Sequence, residues 1–551
     1  MSGDDVARQE HPSAPPAAAF LLWHHLRESA RKDSSRPAVV WRETVLTYRD
    51  LEVQSNRVAT LLEASGIGRG SRVALYLPKS HRAIVAILGV LKAGAAYVPI
   101  DPHAPPLRAA YILRDCAVRG LITTADMLAQ LNPRLTGFDS LETILLADDV
   151  GDLPAHPARV QIKRWAELAS IEAAEPKANG STESDPAYLL YTSGSTGNPK
   201  GVILTHRNAL AFVDWGAETF GVLPDDRLSN HAPLHFDLSV FDIFVALRAG
   251  ATVVMVPDQI ALFPTELARW IDDARISIWY SVPSALTKLL LHGGLDRYHY
   301  EQLRTVLFAG EVFPVKYLRE VMTRLPRATF FNLYGPTETN VCTYSRVPRP
   351  LPFEVAEISI GRACANTEVF ALNAGDASID AGETGELYVR GPTVMAGYWA
   401  LPEKTREALI ANPLQAEFET RVYRTGDMVR LEVDGSYSFV GRRDNMVKSR
   451  GYRIELGEIE AVLLQHSGVR EAAVLAVPDE EIGVRLKAVA ALSDDAVSEE
   501  ELRAFCLARL PRYMIPETFV LSRELPKTST GKIDRQALTG NGIPTTNQVI
   551  D

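Results

Sequence analysis

The segment YTSGSTGNPKG at residues 191–201 decides how the rest of the chain is interpreted. It follows an apolar run, 187–190, that is typical of a buried strand. Its small residues leave several backbone N–H groups and four hydroxyls accessible, and Lys200 adds a positive charge near its end. The segment therefore predicts a loop that binds a polyphosphate.

This loop does not match the two common glycine-rich nucleotide motifs. Counted from Gly194 as a Walker A motif, it has Pro199 where glycine is needed and Gly201 where serine or threonine is needed. It is not a G-x-G-x-x-G dinucleotide motif either. A surface linker is the plain alternative, but linkers rarely follow a buried strand or end in Pro-Lys-Gly. The order of strand, loop and helical pattern at 205–220 favours a binding site.

The composition is that of a globular protein with more than one domain. At 551 residues the chain is too long for one core, and its 46% hydrophobic and 23% charged residues are ordinary. A net charge of −10 argues against nucleic acid as a general partner. Widely spaced cysteines without a C-x-x-C pair predict a reducing compartment. Since no signal peptide or membrane-spanning run is recognisable, we expect a cytoplasmic protein.

Helix and strand periodicities alternate on both sides of the loop, which predicts two largely parallel sheets flanked by helices. The elements predicted before the loop are helices at 47–65 and 81–92 and strands at 73–77 and 96–100. Those predicted after it are strands at 251–256, 276–281, 305–308 and 329–333 and helices at 266–274, 284–291 and 315–325. Ligands bind beyond the carboxyl ends of such strands, where the loops 282–283, 309–311 and 334–339 begin.

The pattern of predicted secondary structure changes twice in the last third of the chain. From about 356 to 443, short apolar segments broken by glycine predict a small β subdomain. Afterwards the pattern is α+β, with helices predicted at 456–465 and 499–510 and strands at 472–477, 487–491 and 518–521. We therefore expect a core domain at 17–443 and a C-terminal domain at 444–540, with disordered tails at 1–16 and 541–551.

Six segments together resemble the adenylate-forming superfamily, and within it the adenylation domains of nonribosomal peptide synthetases. In chain order they are 191–201, 235–239, 332–339, 423–427, 441–460 and 525–532. Any one segment is weak evidence, but the joint match covers nearly the whole chain. The resemblance implies an α/β fold: a large N-terminal domain of two helix-flanked β-sheets with a small β-barrel subdomain, followed by a small, mobile α+β domain.

The family's chemistry has two half-reactions. A carboxylate attacks the α-phosphorus of ATP and releases pyrophosphate, and a thiol then captures the acyl-adenylate. The first step brings an anion to a polyanion, so it needs cations and oriented donors more than a general base. The resemblance implies that the ATP-binding residues are Thr192, Ser193, Ser195, Thr196, Lys200, Asn332, Tyr334, Gly335, Asp427 and Arg442.

The same resemblance implies further roles. Glu338 would hold Mg²⁺, a hard cation suited to carboxylate and phosphate oxygens. Thr337, His235 and Lys532 are assigned to catalysis, with Lys532 bridging the reacting carboxylate and the α-phosphate. The hinge and thioester face consists of Asp444, about which the C-terminal domain would rotate, and of Lys448 and Gly451, which the family brings to the thiol.

The acid pocket is inferred position by position from the family. Asp237 matches the aspartate that pairs with the substrate's amino group, and the remaining walls are mainly apolar: Leu238, Phe241, Tyr280, Leu307, Ala309, Leu333, Val341 and Cys342. A charged or amide side chain would be buried there without a partner. The set is similar to the pockets of enzymes that load L-proline onto a carrier protein for natural-product synthesis, although valine or alanine would also be tolerated.

The expected partner is a phosphopantetheinylated carrier protein from another chain, because no carrier sequence is recognisable in this one. The alternatives are a ligase for D-alanine or another small apolar amino acid, an acyl- or aryl-CoA ligase or luciferase-like oxidase of the same fold, and a catalytically silent binding protein. Asp237 argues against the CoA ligase and the oxidase, and the bulky Phe241 and Tyr280 against D-alanine. The charged residues Lys200, Glu338, Asp427 and Lys532 argue against a silent protein.

Overall fold

A computed structural model describes residues 19–149, 156, 159–176, 179–194, 197–443, 446–493, 497–527 and 533–539. Up to the glycine-rich loop (193–199) the elements are α1 (His24–Lys32), β1 (Pro37–Trp41), β2 (Thr44–Thr47), α2 (Tyr48–Ala64), β3 (Arg72–Tyr76), α3 (His81–Lys92), β4 (Ala96–Pro99), α4 (Pro106–Asp115), β5 (Gly120–Thr123), α5 (Ala125–Leu131), β6 (Thr143–Leu146), β7 (Gln161–Arg164) and β8 (Pro186–Thr192).

The next region continues the alternation. Its elements are β9 (Lys200–Thr205), α6 (His206–Thr219), β10 (Arg227–Asn230), α7 (Leu238–Val240), a π-helical turn (Phe241–Val245), α8 (Ala246–Ala249), β11 (Thr252–Met255), α9 (Asp258–Leu262), α10 (Pro264–Asp273), β12 (Ile278–Ser281), α11 (Pro283–His292), β13 (Thr305–Ala309), α12 (Val315–Arg324), β14 (Thr329–Tyr334) and β15 (Thr343–Arg346).

The last third is richer in strands. Its elements are β16 (Arg362–Ala363), β17 (Glu368–Leu372), β18 (Thr384–Arg390), β19 (Gly397–Tyr398), α13 (Pro402–Ala408), β20 (Leu409–Ala411), β21 (Arg421–Leu431), β22 (Tyr437–Arg442), β23 (Met446–Ser449), β24 (Tyr452–Glu455), α14 (Leu456–Leu463), β25 (Val469–Asp479), β26 (Gly483–Leu492), α15 (Glu499–Leu507), β27 (Thr518–Ser522) and α16 (Arg535–Thr539).

Two large sheets with helices between and outside them form the bulk of the protein. One has nine strands in the order β16-β15-β14-β13-β12-β10-β11-β1-β2, and the other has eight in the order β19-β9-β8-β4-β3-β5-β6-β7. The central core lies between the sheets and includes α2, α3 and α6. A second core places α10, α11 and α12 outside the nine-stranded sheet, and a third places α4 and α5 outside the eight-stranded sheet. The predicted α/β fold class is confirmed.

Local sequence accounts for where several helices begin. Thr47 caps α2, because its side chain accepts from the Asp50 amide while the Asp50 carboxylate accepts from the Thr47 amide. Thr205 and Asn208 form the same reciprocal cap at α6. α3 is apolar almost throughout and is buried between the sheets, which is why its bounds at His81–Lys92 match the predicted ones.

The glycine-rich loop joins two antiparallel strands and does not lead directly into a helix. In the register of β8 and β9, Leu190 lies opposite Val202 and Thr192 opposite Lys200. Strand β9 is absent from the sequence-based prediction because Lys200 and Gly201 were assigned to the loop. The helix predicted at 205–220 is α6, which begins only after β9.

The described residues from 446 to 539, here called the C-terminal unit, contain the hairpin β23–β24 and the three-stranded sheet β25-β26-β27. Successive residues of β25 point to opposite faces of that sheet. Val474 packs in one cluster with Ile454 of the hairpin, α14 and α15. Ala473 packs in another with Leu525 and Ile533. The hairpin residue Ile454 therefore lies on one face of the sheet, and Leu525 and Ile533 lie on the other.

Between Glu368 and Arg442 a separate five-stranded antiparallel sheet, made of β17, β18, β20, β21 and β22, forms the predicted β subdomain. The tails predicted at 1–16 and 541–551 lie outside the described residues. Within the described part of the chain, no helix combines the length and the apolar character needed to cross a membrane.

Candidate active site

The loops that follow the parallel strands of the nine-stranded sheet meet the glycine-rich loop of the other sheet. Between them lies a cavity of about 100 Å³, whose lining includes Thr192, Ser193, Asp237, Thr337, Asp427 and Lys448. An adjoining cavity of about 490 Å³ shares Arg442 and Lys448 with the first and is also lined by Asn332 and Tyr334. Many of the residues predicted for ATP, catalysis and the acid pocket are thus brought together.

The described part of the glycine-rich loop is held by the C-terminal unit. The Ser193 hydroxyl donates to the carbonyl of Arg453 at 2.7 Å and accepts from the Glu455 amide at 3.3 Å. The Gly194 amide donates to the Glu458 carboxylate at 3.2 Å. A Cβ at Gly194 would lie 2.1 Å from the carbonyl oxygen of Asn198, so the tight turn requires glycine. The loop therefore presents an amide and a hydroxyl at the domain junction.

Lys200 is the first residue of β9 and directly follows this loop in the chain. Its Nζ is 3.8 Å from Glu338 Oε1 and 4.1 Å from the centre of the Tyr398 ring. Burial and the nearby Arg453 lower the pKa of Lys200 to about 8, against the opposing effect of Glu338. The residue is thus a buried cation aimed at the carboxylate predicted to hold magnesium.

Glu338 is fully buried and has several polar partners. Arg453 Nη1 lies 2.9 and 2.8 Å from its two oxygens, and the Tyr398 hydroxyl donates to Oε1 at 2.7 Å. Burial alone would raise the pKa of Glu338, but Arg453, Lys200 and Tyr398 outweigh it and hold the pKa at about 2. The carboxylate is therefore ionised.

Magnesium does not fit Glu338 in this arrangement. Both carboxylate oxygens contact the Arg453 guanidinium, which occupies the space that a cation bound to them would need. Among the described residues, no group of three or more histidine, cysteine, aspartate or glutamate side chains could hold a metal. Mg²⁺ at Glu338 would require Arg453 to withdraw and phosphate oxygens to supply further ligands.

Three of the predicted nucleotide residues, Tyr334, Asp427 and Arg442, are joined by hydrogen bonds. The Tyr334 hydroxyl donates to Asp427 Oδ2, and Arg442 Nη1 donates to Asp427 Oδ1 at 2.7 Å. Asn332 Nδ2 donates to the carbonyl of Ser359 at 3.0 Å. A Cβ at Gly335 would lie 1.6 Å from the Asn340 carbonyl oxygen, so the turn after β14 requires glycine. The contacts from Tyr334 and Arg442 orient Asp427 in the lining of the smaller cavity.

Asp237 lies at the start of α7, beside the catalytic candidates. Burial raises the pKa of Asp237, while hydrogen bonds from the Thr337 hydroxyl and the Leu238 amide oppose that rise. Burial also lowers the pKa of His235, and neither of its ring nitrogens has a hydrogen-bond partner among the described groups. The site thus offers two groups: the Asp237 carboxylate, which is able to receive a cation, and the neutral imidazole of His235.

The predicted walls of the acid pocket lie on one face of the nine-stranded sheet. Tyr280 is opposite Leu307 in the register of β12 and β13, and Ala309 is opposite Leu333 in that of β13 and β14. These four residues are buried in the central core together with Phe241 and Val341, and Leu238 packs against it. The ring centres of Phe241 and Tyr280 are 5.4 Å apart. Cys342 is also buried but packs in the neighbouring cluster with Tyr334.

The turn of hairpin β23–β24 docks at the edge of the site. Gly451 has a φ of +79°, and a Cβ there would lie 2.4 Å from Val282 Cγ1. Its amide donates to Glu311 Oε1 at 2.6 Å, while Glu311 Oε2 accepts from the Ser284 amide at 2.9 Å. Lys448 Nζ is 5.5 Å from the centre of the Tyr334 ring. Lys448 and Gly451 therefore do reach the site.

Four predicted residues, Ser195, Thr196, Asp444 and Lys532, lie outside the described residues. The structure adds others that the sequence interpretation had not selected: Arg108, Glu311, Tyr398, Arg453 and Glu458. Arg453 and Glu458 belong to the matched segment 441–460, so their charge within a recognised motif was an available signal. Glu311 lies in the loop 309–311, whose place after a predicted strand was also an available signal. For Arg108 and Tyr398 no local signal exists, because their partners are distant in the chain.

Comparison with known proteins places this site among nucleotide-dependent enzymes. A family model described as AMP-binding enzyme matches residues 26–399, and the model of the AMP-binding enzyme C-terminal domain matches 458–532. An L-proline–L-prolyl-carrier protein ligase from Pseudomonas fluorescens is 40% identical, covering 94% of this chain and 98% of that protein. One of the same name from Streptomyces coelicolor is 39% identical, covering 93% and 95%. The crystal structure of IdnL1 is 29% identical, with a TM-score of 0.77 over 94% of this chain and 100% of that one.

Proposed function

The chain belongs to the AMP-binding enzyme family, and from that membership we propose that it is an amino acid ligase that uses ATP to load L-proline onto a carrier protein. Two relatives similar along nearly their whole length are named as ligases of this kind, which supports the choice of proline. In this proposal the enzyme forms prolyl-AMP, releases pyrophosphate and transfers the prolyl group to the phosphopantetheine thiol of a carrier protein from another chain.

The observation that carries the amino acid assignment is Asp237. Its partly buried carboxylate lines the same cavity as Thr337 and the glycine-rich loop, while the apolar face of Tyr280, Leu307 and Leu333 belongs to the adjacent core. The ammonium group of an amino acid substrate would neutralise Asp237. The compact aliphatic ring of proline suits pocket walls that carry no free charge. A fatty or aryl acid would leave the Asp237 carboxylate without a cation.

In the first half-reaction, a carboxylate oxygen of proline attacks the α-phosphorus, and the bond from that phosphorus to pyrophosphate breaks. We assign binding of the β and γ phosphates, which leave as pyrophosphate, to Lys200 and the glycine-rich loop. Thr337 would contact the α-phosphate, and Lys532 would bridge the reacting carboxylate and the α-phosphate. In the second, the thiol sulfur attacks the prolyl carbonyl carbon and AMP leaves with the electron pair. The thiol proton passes to solvent.

Magnesium belongs to the arrangement in which Arg453 is withdrawn. Glu338 would then offer an ionised, buried carboxylate, and the metal would neutralise charge on the departing pyrophosphate. The low pKa of Glu338, about 2, depends mainly on Arg453, so a metal ion that replaced Arg453 would have to supply the positive charge that keeps the carboxylate deprotonated.

We also propose the domain division at 17–443 and 444–540 and a rotation of the second domain between the two half-reactions. Its support is the packing on the sheet β25-β26-β27. Ile454 of the hairpin lies on one face, and Leu525 and Ile533, which flank Lys532 in the chain, lie on the other. One domain cannot place both faces at the same phosphorus, so it must present them in turn around Asp444.

The experiment that tests the function is amino-acid-dependent exchange of labelled pyrophosphate into ATP, run across the twenty amino acids and a panel of fatty and aryl acids. Proline should give the highest exchange, and a carrier protein should gain the mass of a prolyl group. Exchange stimulated by fatty or aryl acids and by no amino acid would refute the proposal.

A further inference from the structure

A short helical segment carries two of the residues assigned to the acid pocket. Asp237 lies at the start of α7, and Phe241 is the first residue of the π-helical turn (Phe241–Val245) that joins α7 to α8. The partner of the substrate amine and the ring that packs against Tyr280 are thus close together in the chain. How this segment is held determines where both groups lie relative to the sheet.

The π-helical turn is held by a contact from outside the helix. A π turn spans one residue more per hydrogen bond than an α-helical turn, and such turns are rare and occur frequently at functional sites. Asp242, the second residue of this turn, is 1% exposed. Its Oδ2 accepts from Asn230 Nδ2 at 3.1 Å. This hydrogen bond ties the turn to the last residue of β10.

The carboxyl end of β10 is in turn held from the other large sheet. Lys79 lies between β3 and α3, and its Nζ donates to the carbonyls of Asn230 and His231 at 3.1 and 3.0 Å. Burial lowers the pKa of Lys79 to about 8, and the charges of Asp258 and Asp242 oppose the fall. A buried cation thus fixes the end of the strand to which the π-helical turn is attached.

The carboxylate of Asp242 is unfavourable for stability at this position. Its second oxygen, Oδ1, has no hydrogen-bond partner among the described groups. Burial raises the pKa of Asp242 well above its usual range, while the hydrogen bond from Asn230 and the charge of Lys79 oppose that rise. A half-satisfied buried carboxylate is less stable than an apolar side chain of similar size. Its presence beside Phe241 is explained if it selects one arrangement of the turn.

Asp242 also lies near a wall of the acid pocket. Burial and, after it, the charges of Asp237 and Asp242 raise the pKa of the Tyr280 phenol. Both carboxylates are therefore within electrostatic reach of Tyr280, against which the Phe241 ring packs with a centre-to-centre distance of 5.4 Å. A displacement of the π-helical turn would move Phe241 relative to Tyr280 and change the room for the substrate side chain.

We infer that Asp242 is a positioning residue for substrate specificity, which holds the π-helical turn through its hydrogen bond with Asn230 so that Phe241 limits the size of the substrate ring. Asp242 acts through Phe241 and does not touch the substrate. The identity of that ring as proline rests on the proposed function.

Cyclic amino acids that differ only in ring size test this inference. Azetidine-2-carboxylate has one ring methylene fewer than proline and pipecolate has one more, and all three carry the secondary amine that would pair with Asp237. Pyrophosphate exchange over a range of concentrations gives kcat and KM for each. The native protein should prefer proline over pipecolate by about 10- to 200-fold, the usual range for one methylene.

Asp242→Leu removes the hydrogen bond with little change in volume. The preference for proline over pipecolate should fall to less than about threefold, the loss expected when a wall no longer excludes one methylene. The KM for proline should rise by about tenfold with kcat unchanged, because a pocket wall contacts the ring equally in the ground state and in the transition state. Asp242→Asn keeps an acceptor oxygen for Asn230 and should retain the preference within about twofold.

Asn230→Leu breaks the same hydrogen bond from its other end. It should lower the preference for proline as much as Asp242→Leu does. The double variant should lose no more than either single one, because both substitutions remove one shared contact. Two independent structural defects would instead add.

Asp226→Asn is the matched control. Asp226 is also a buried carboxylate and lies directly before β10, at the opposite end of the strand from Asn230. It accepts from the Ser277 hydroxyl at 2.8 Å and pairs with Arg304 at 2.6 Å. This variant should lose stability in urea titrations and keep the native preference for proline.

Three results would overturn the inference: a folded Asp242→Leu protein with the native preference for proline, an Asp242→Asn protein that loses as much preference as Asp242→Leu, or a loss confined to kcat. If circular dichroism shows that Asp242→Leu is unfolded, Asn230→Leu decides the question by the same criteria. If the native protein activates a different amino acid, the proposed substrate is wrong. The same comparison is then made between that amino acid and its homologue with one more methylene, so the two failures are distinguished.

Discussion

A methyl group added at position 216 should shift the balance between proline and smaller amino acids. Phe212 and Gly216 lie four residues apart on one face of α6, and Phe220, the residue that directly follows the helix, comes four residues later. The ring of Phe241 rests against this face, with its centre 6.2 Å from that of Phe212 and 5.7 Å from that of Phe220. The centre of the same ring is 5.4 Å from that of Tyr280, a predicted wall of the acid pocket.

The size of the effect on stability follows from two opposing terms. A Cβ at position 216 would lie 2.9 Å from Phe241 Cε2 and 3.3 Å from Val245 Cγ2, so the Phe241 ring, which also packs against Tyr280, must shift. Overpacking of this kind costs about 1–3 kcal/mol. Replacing glycine by alanine inside a helix gains about 1 kcal/mol. Gly216→Ala should therefore lower the free energy of unfolding by roughly 0–2 kcal/mol.

The assays are denaturant unfolding and pyrophosphate exchange with proline and with alanine. We expect the ratio of kcat/KM for proline to that for alanine to fall by about tenfold, since one methylene is worth about 1–3 kcal/mol in a tight pocket. Gly89→Ala is the matched control: its Cβ would lie 2.5 Å from Val58, at the contact of α3 with α2, far from the acid pocket. That variant should lose stability and keep the ratio. A Gly216→Ala protein with an unchanged ratio would refute the role given to Phe241.

Three other predictions follow from buried charges and from the hinge. Asp237→Ala should lower kcat/KM for proline by the equivalent of about 3–5 kcal/mol, because it leaves the substrate ammonium without a partner. ATP binding, measured by calorimetry, should change little. An unchanged kcat/KM would show that Asp237 does not belong to the site. Lys532→Ala should block adenylate formation but not thioester formation from pre-made prolyl-AMP, and Asp444→Pro should do the reverse. Single-turnover pyrophosphate release measures the first step, and the mass shift of the carrier protein measures the second. Equal losses in both steps for both variants would exclude rotation of the C-terminal domain between them. Burial lowers the pKa of Lys92 from 10.5 to about 8. Between pH 8 and 10.5 the unfolded chain therefore binds more protons than the folded one, and the free energy of unfolding should rise with pH. Lys92→Met should flatten that rise in urea titrations, and an unchanged slope would show that Lys92 does not cause it.

The sequence alone determined those features that depend on neighbouring residues. The helix at 81–92 is read from its apolar run and has the same bounds in the structure. Four strands of the nine-stranded sheet, β11 to β14, differ from prediction by one or two residues, whereas β1, β2, β10, β15 and β16 are absent from the prediction. Helical and strand periodicity and capping act over a few residues, so they are legible without the fold. The motifs also predicted the family, because their joint order is specific.

Only the tertiary structure decided which charges meet. Arg108 and Glu458 are 350 residues apart in the chain, and Glu338 and Arg453 are 115 apart. No local pattern distinguishes such residues from solvated surface charges, because their partners depend on the path of the chain and on where the C-terminal unit docks. The magnesium prediction for Glu338 illustrates this limit. The residue type indicated a cation, and the docked hairpin determined that in this arrangement the cation is a guanidinium of the protein itself.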